Sequence, residues 1–170
     1  SRDVFVKSVG SYLGLPHRME KVGLYNGVAY VNDSKATNMA AAAKAVACYN
    51  KIYWIMGGRA KKVAIEEVLP VLSHVVNIYT LGESGREFKK NFGKRLCVKH
   101  SETLAKAFAD ATDDAMTDFN GGGVVLLSPA CASFDQFENF EARGVAFREL
   151  FAQLRQSQKF TRRVAGTGVK

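Results

Sequence analysis

An α/β fold, with a mainly parallel sheet covered by helices on both faces, follows from three observations. Ile52–Met56, Val75–Leu81 and Val124–Leu127 are apolar at nearly every position, as strands buried on both faces must be. Between them lie stretches with apolar residues three and four apart, the spacing of one helix face. Glycine clusters, Gly57-Gly58, Gly82-Glu83-Ser84-Gly85 and Gly121-Gly122-Gly123, punctuate the changes from one period to the other.

Taken in order, residues 1–15 read as a lead-in from an upstream domain, with Phe5, Val9 and Leu13 four apart in the last turns of a helix that Pro16 stops. Val22–Tyr25 and Val28–Val31 flank Asn26-Gly27, a hairpin signal because both turn residues tolerate positive φ. The second of these strands delivers Asp33 at its C-terminal end. An alanine-rich helix follows over Met39–Ala47, then the strand Ile52–Met56, a helix over Ile65–Leu72, the strand Val75–Leu81 and a short basic helix opened by Gly82–Gly85. Leu96–Val98 reads as a weak strand. Leu104, Ala107, Phe108, Ala111 and Ala115 predict a helix, and Val124–Leu127 the last strand. Ser133-Phe134-Asp135-Gln136 has the S-x-x-Q form of a capping box, ahead of a helix whose apolar stripe is Phe137, Phe140, Gly144, Phe147, Phe151 and Leu154. The arrangement is Rossmann-like, with an antiparallel N-terminal hairpin strand added to the parallel sheet.

Composition bounds the function. The chain has 170 residues, 47% hydrophobic and 24% charged, which suits one domain with a single core. No apolar run approaches the roughly 20 residues that cross a bilayer, and no signal-peptide core follows the N-terminal Ser-Arg-Asp, so neither a membrane protein nor a secreted one is predicted. Cys48, Cys97 and Cys131 fit neither a disulfide framework nor a metal knuckle and read as a reducing, cytoplasmic compartment. The net charge is +8, and five of those charges, Arg155, Lys159, Arg162, Arg163 and Lys170, lie beyond Leu154 with no acid among them. Residues 155–170 are expected to be a basic, disordered tail, and no nucleic-acid signature accompanies them. No metal-ligand cluster, P-loop or G-x-G-x-x-G follows any strand, so the phosphate machinery of any nucleotide chemistry must lie elsewhere.

Ligands of such sheets gather beyond the C-terminal strand ends, which selects three loops. Asn32-Asp33-Ser34-Lys35-Ala36-Thr37-Asn38 runs into a helix whose free N–H groups, with Lys35 and Thr37, suit an anion; the bland alternative is a helix start capped by Thr37 or Asn38. Gly57-Gly58-Arg59-Ala60-Lys61-Lys62 is either a carboxylate or phosphate site or a solvated basic turn. In Ser128-Pro129-Ala130-Cys131-Ala132-Ser133, Cys131 reads as a small buried side chain, because no histidine shows a sequence relation to it, and Ser133 as a cap. His17-Arg18 is a hinge with an anion-facing arginine or an exposed polar pair.

Together, Gly14-Leu15-Pro16-His17-Arg18, the Asn32–Asn38 loop, Gly57-Gly58 with Lys61, and Leu127–Phe137 with Arg143-Gly144 and Phe147 resemble the C-terminal domain of the Mur ligases, in their D-glutamate-adding form. The resemblance spans residues 14–154 and sets residues 16–154 as the domain. It departs from the family at Arg59-Ala60-Lys61-Lys62, where many members carry an aspartate before the lysine, and at Phe134, where leucine is also found. It implies a monomeric three-domain enzyme of peptidoglycan precursor synthesis, whose N-terminal and central P-loop domains partner this one. ATP, with Mg2+ held mostly by the central domain, phosphorylates UDP-N-acetylmuramoyl-L-alanine, and the amine of D-glutamate attacks the acyl phosphate. Carried over by motif, His17, Arg18 and Asp33 face ATP, while Lys35, Thr37, Lys61, Ser133, Phe134 and Phe140 hold D-glutamate. D-Glutamate is a dianion beside one amine, so cations and hydroxyls are the chemistry it needs. The domain alone is expected to be inactive. The alternative class is a stand-alone Rossmann-like module for a small anionic metabolite.

Overall fold

The structure, a computed structural model, describes residues 15–119 and 121–166, with side chains in the last helix as far as Ser157. The lead-in helix expected around Phe5, Val9 and Leu13 lies outside the described residues. The elements are β1 (Glu20–Tyr25), β2 (Val28–Asn32), α1 (Met39–Ala47), β3 (Ile52–Gly57), β4 (Val75–Leu81), α2 (Gly85–Phe92), β5 (Cys97–Glu102), α3 (Leu104–Thr117), β6 (Val124–Leu127) and α4 (Phe140–Gly166). They build one six-stranded sheet in the order β1-β2-β6-β3-β4-β5. Only the β1–β2 hairpin is antiparallel; β2–β6, β6–β3, β3–β4 and β4–β5 are parallel. Asn26 and Gly27 adopt φ of 48° and 81° at the hairpin tip, as the sequence predicts.

Alternation along the strands sorts the core into two layers. Val31, Trp54, Met56, Ile78 and Leu126 pack against α1 and α2, whereas Tyr30, Ile55, Tyr79, Val125 and Leu127 pack against α3 and α4. Trp54 is fully buried, and its indole N–H donates to the Ser128 carbonyl at 2.8 Å, tying β3 to the loop after β6.

Four local expectations differ from what forms. The helix expected over Ile65–Leu72 is two 3-10 turns, Ile65–Glu67 and Leu69–His74; Pro70 has no N–H to give and disfavours α backbone at Leu69. The strand expected at Leu96–Val98 extends as β5 to Glu102, alternately exposed as an edge strand must be. Ser133-x-x-Gln136 does not start α4. Those residues form a turn on the Ser133 carbonyl, Gln136 reaches the Glu102 carbonyl instead, and the Asn139 side chain accepts from Ala142 N at 2.7 Å to cap the helix. Finally, α4 runs on to Gly166 where residues 155–170 were expected to be a disordered tail. No glycine or proline between Gly144 and Gly166 stops it.

Candidate functional site

The parallel register aligns the three loops along one sheet edge. Asn32 of β2 lies beside Leu127 of β6, which lies beside Ile55 of β3. The loops then bond to one another: Asp33 N to Leu127 O at 2.7 Å, Gly57 N to Pro129 O at 2.9 Å, and a two-way bridge between Arg59 and Ala132. Three of the six non-glycine residues with left-handed backbone among the described residues, His17, Met19 and Ala130, with φ of 62°, 47° and 58°, lie at this same edge. Such backbone costs on the order of 1 kcal/mol at each non-glycine residue and tends to collect at ligand sites.

Asp33 is the buried carboxylate of the edge. One of its oxygens accepts from Ser128 Oγ at 2.9 Å and the other from Met19 N at 3.1 Å. Burial raises its pKa, against the pull of Ser128, the Met19 amide and the Arg18 charge. Asp33 shares a cleft of about 300 Å³ with Arg18 and Lys35. Arg18 and Lys35 also line an adjoining hollow of about 380 Å³, together with His17 and Phe140. There the Lys35 ammonium sits 3.9 Å from the centre of the Phe140 ring, while its backbone N–H is held by the His17 carbonyl at 3.0 Å. The Asn38 side chain caps α1 by accepting from Ala41 N, which leaves Lys35 and Thr37 in the turn just before the helix.

His17 is buried, against the alternative of an exposed polar pair. Its ring nitrogen lies 3.0 Å from the Asn32 amide nitrogen, so that nitrogen accepts, and its backbone N–H donates to Glu20. Burial, then the charge of Arg148, lower its pKa, so the imidazole is neutral at pH 7. It packs so closely against α4 that a Cβ on Gly144 would stand 2.1 Å from its Nδ1.

Beneath the loops lies Arg143, fully buried on α4. Its Nε donates to Ser34 Oγ at 2.9 Å, and one terminal nitrogen donates to the carbonyls of Ser34 (2.9 Å) and Cys131 (3.0 Å). Ser34 Oγ in turn donates to the Phe140 carbonyl. The other terminal nitrogen, Nη1, has no hydrogen-bond partner and faces the Gly58 backbone. Burial lowers the Arg143 pKa to about 10, which leaves it charged at neutral pH. Sequence reading gave this residue no role. The available signal was an arginine at the spacing of the apolar face, three residues after Phe140 and four before Phe147. Cys131 is buried and its thiol is pushed up to about 12, so it is no nucleophile at neutral pH.

Not every candidate converges. Lys61 and Phe134 are exposed, and Ser133 is buried behind the Arg59–Ala132 bridge. These three and Thr37 line neither hollow. Arg59 is held by Glu83 through two hydrogen bonds, at 2.7 and 3.0 Å, and Ala60 N donates to Ser84 Oγ, which anchors the loop ahead of Lys61.

The family profile described as Mur ligase, glutamate ligase domain, matches residues 17–131. The chain belongs to the Mur ligase family. The matched span includes His17, Arg18, Asp33, Lys35, Thr37 and Lys61 and stops short of Ser133, Phe134 and Phe140. Among curated relatives, the UDP-N-acetylmuramoylalanine--D-glutamate ligase of Novosphingobium aromaticivorans is 47% identical over 91% of this chain and 34% of its own length. That of Mesorhizobium japonicum is 50% identical over 82% of this chain and 30% of its own. This Mur ligase chain thus spans about a third of the relatives it matches. The crystal structure of a bifunctional folylpolyglutamate synthase/dihydrofolate synthase from Yersinia pestis matches with a TM-score of 0.53 at 19% identity, over 85% of this chain and 32% of that one. It supports the α/β fold.

Proposed function

We propose that this chain is the C-terminal domain, over residues 16–154, of a cytoplasmic ATP-dependent ligase that joins D-glutamate to UDP-N-acetylmuramoyl-L-alanine. The observation that carries the reading is that Arg18 and Lys35 line two adjoining hollows, one with Asp33 and the other with Phe140. One pair of cations can therefore stand between a nucleotide phosphate and an amino-acid carboxylate. The names and identities of the curated relatives support the same substrate pair.

In this reading Asp33 accepts from a ribose hydroxyl, since each of its oxygens keeps a free lone pair, and Arg18, steadied by His17, faces the phosphates. Lys35, Thr37, Lys61 and Ser133 hold the two carboxylates of D-glutamate, with Phe134 and Phe140 against its methylenes. The amine is left free to attack the acyl phosphate that ATP forms on the acceptor. Among the described residues no three carboxylate, imidazole or thiol groups gather to hold a metal ion. In this reading Mg2+ accompanies ATP on the central domain, and these residues position the reactants while that domain activates them. No helix among the described residues is long and apolar enough to cross a membrane.

Titration of the 15N-labelled domain with D- and L-glutamate tests the amino-acid site. Amide shifts at Lys35, Thr37 and Ser133 that favour the D enantiomer are expected; equal responses to both would remove the assignment. The gene upstream of the Ser1 codon is expected to encode a P-loop in frame, and a stop codon there would favour the stand-alone anion-binding module.

A further inference from the structure

The basic helix that follows Gly82–Gly85 has no part in the reaction proposed for the site edge. Residues 85–96 carry five cations, Arg86, Lys89, Lys90, Lys94 and Arg95, against one acid, Glu87. Phe88 and Phe92, four apart, are fully buried against the sheet and turn the other faces of α2 outward. All five cations are exposed, and none forms an ion pair among the described residues. Arg59, Lys99, Lys106 and Arg148, by contrast, each have a carboxylate partner. Arg86 stands three and four residues before Lys89 and Lys90, the spacing at which like charges repel along a helix. The patch therefore costs stability in the free domain, and an anion that meets it removes that cost.

Charge is segregated between the two layers of the fold. α2 packs in the layer of Val31, Trp54 and Ile78, and α3 in that of Tyr30, Ile55 and Tyr79. Along α3 and its C-cap stand four acids, Asp110, Asp113, Asp114 and Asp118, against one cation, Lys106. A molecule positive on one side and negative on the other is turned by an external field, so its α2 side meets an anionic surface first. Among the described residues, no exposed large apolar side chain belongs to residues 85–96. The patch thus lacks both the apolar anchors of protein interfaces and the aromatic platforms that stack single-stranded bases. None of the five cations lines either hollow of the site edge, so they enclose no single small anion. What they offer is a set of point charges for many phosphates at once. We infer that the α2 face is a docking surface for an anionic phospholipid bilayer, on which the protein rests without inserting. Such docking is independent of the reaction at the site edge.

Co-sedimentation of the complete gene product with sucrose-loaded vesicles tests the surface. It is expected to bind vesicles of phosphatidylcholine with about a third phosphatidylglycerol, and not phosphatidylcholine alone. Affinity is expected to fall at least about tenfold between about 0.1 M and about 0.5 M salt, as the surface charges are screened. Each cation close to such a surface is worth about fivefold in affinity, so Lys89→Gln/Lys90→Gln/Lys94→Gln/Arg95→Gln is expected to bind about a hundredfold more weakly or worse. A urea melt followed by Trp54 emission checks that this variant folds. Lys159→Gln/Arg162→Gln/Arg163→Gln removes as strong a cluster from α4, in the other layer, and is expected to lose no more than about fivefold. Binding that is absent, that ignores the anionic lipid, that survives in the α2 variant, or that is lost in the α4 variant alone overturns the assignment. Tighter binding to a DNA duplex than to the vesicles, at the same salt, transfers the patch to nucleic acid and overturns it as well.

Discussion

Lys35→Ala in the complete enzyme is expected to lower turnover about a hundredfold or more, the scale seen when one preorganised charge is removed from a reacting centre. The side chain is exposed and lies over Phe140, so little packing is lost with it. Stability is expected to change by no more than about 0.5 kcal/mol, as for a surface substitution. Turnover under saturating ATP and D-glutamate, measured beside a urea melt, separates the two effects. Lys35→Arg keeps the charge but moves it on a longer, planar group and is expected to recover only part of the rate. Wild-type turnover in the alanine variant would remove Lys35 from the proposed mechanism.

Arg143→Met is expected to destabilise the domain by about 3–5 kcal/mol, because burial leaves the freed acceptors no water to turn to. Replacing a buried charge with an apolar side chain of similar size is often harmless. That rule applies when the partners leave with the charge, and here the Ser34 and Cys131 carbonyls and Ser34 Oγ stay behind. Because those acceptors belong to two different loops, the KM for D-glutamate is expected to rise more than kcat falls, even at temperatures where the variant is folded. Arg143→Lys keeps a charge but cannot fork to three acceptors, and is expected to fall between the two. A methionine variant as stable as wild type, with an unchanged KM, would show that the guanidinium does not brace the loops.

How much the sequence disclosed depended on the range of the interaction. β3, β4 and β6 were legible because burial on both faces leaves continuous apolar runs, and the hairpin because Asn26-Gly27 states its own backbone conformation. The start of α4 lies later than Ser133 and Gln136 suggest, because the Ser133 carbonyl is taken up by a local turn and the Gln136 amide reaches Glu102, 34 positions away in the chain. Similarly, Ile65–Leu72 has apolar spacing, but Pro70 decides the hydrogen-bond pattern. Within the site, the loops were visible as glycine and polar clusters at strand ends. Their mutual support was not, because Ser128 and Asp33 are 95 positions apart and Arg143 and Ser34 are 109 apart. A lone arginine in a helix ordinarily reads as solvated, and only its place on the apolar face marks it otherwise.

Trp54 is the single tryptophan of the chain. Its indole is packed near Phe92 and bonded to the carbonyl that opens the loop after β6. The molecule therefore carries its own optical reporter at the base of the site. Blue-shifted emission marks the closed, dry contact with Ser128, and any ligand or neighbouring domain that displaces this loop alters the polarity around the indole. Motion of the edge can thus be followed in real time in the unlabelled protein.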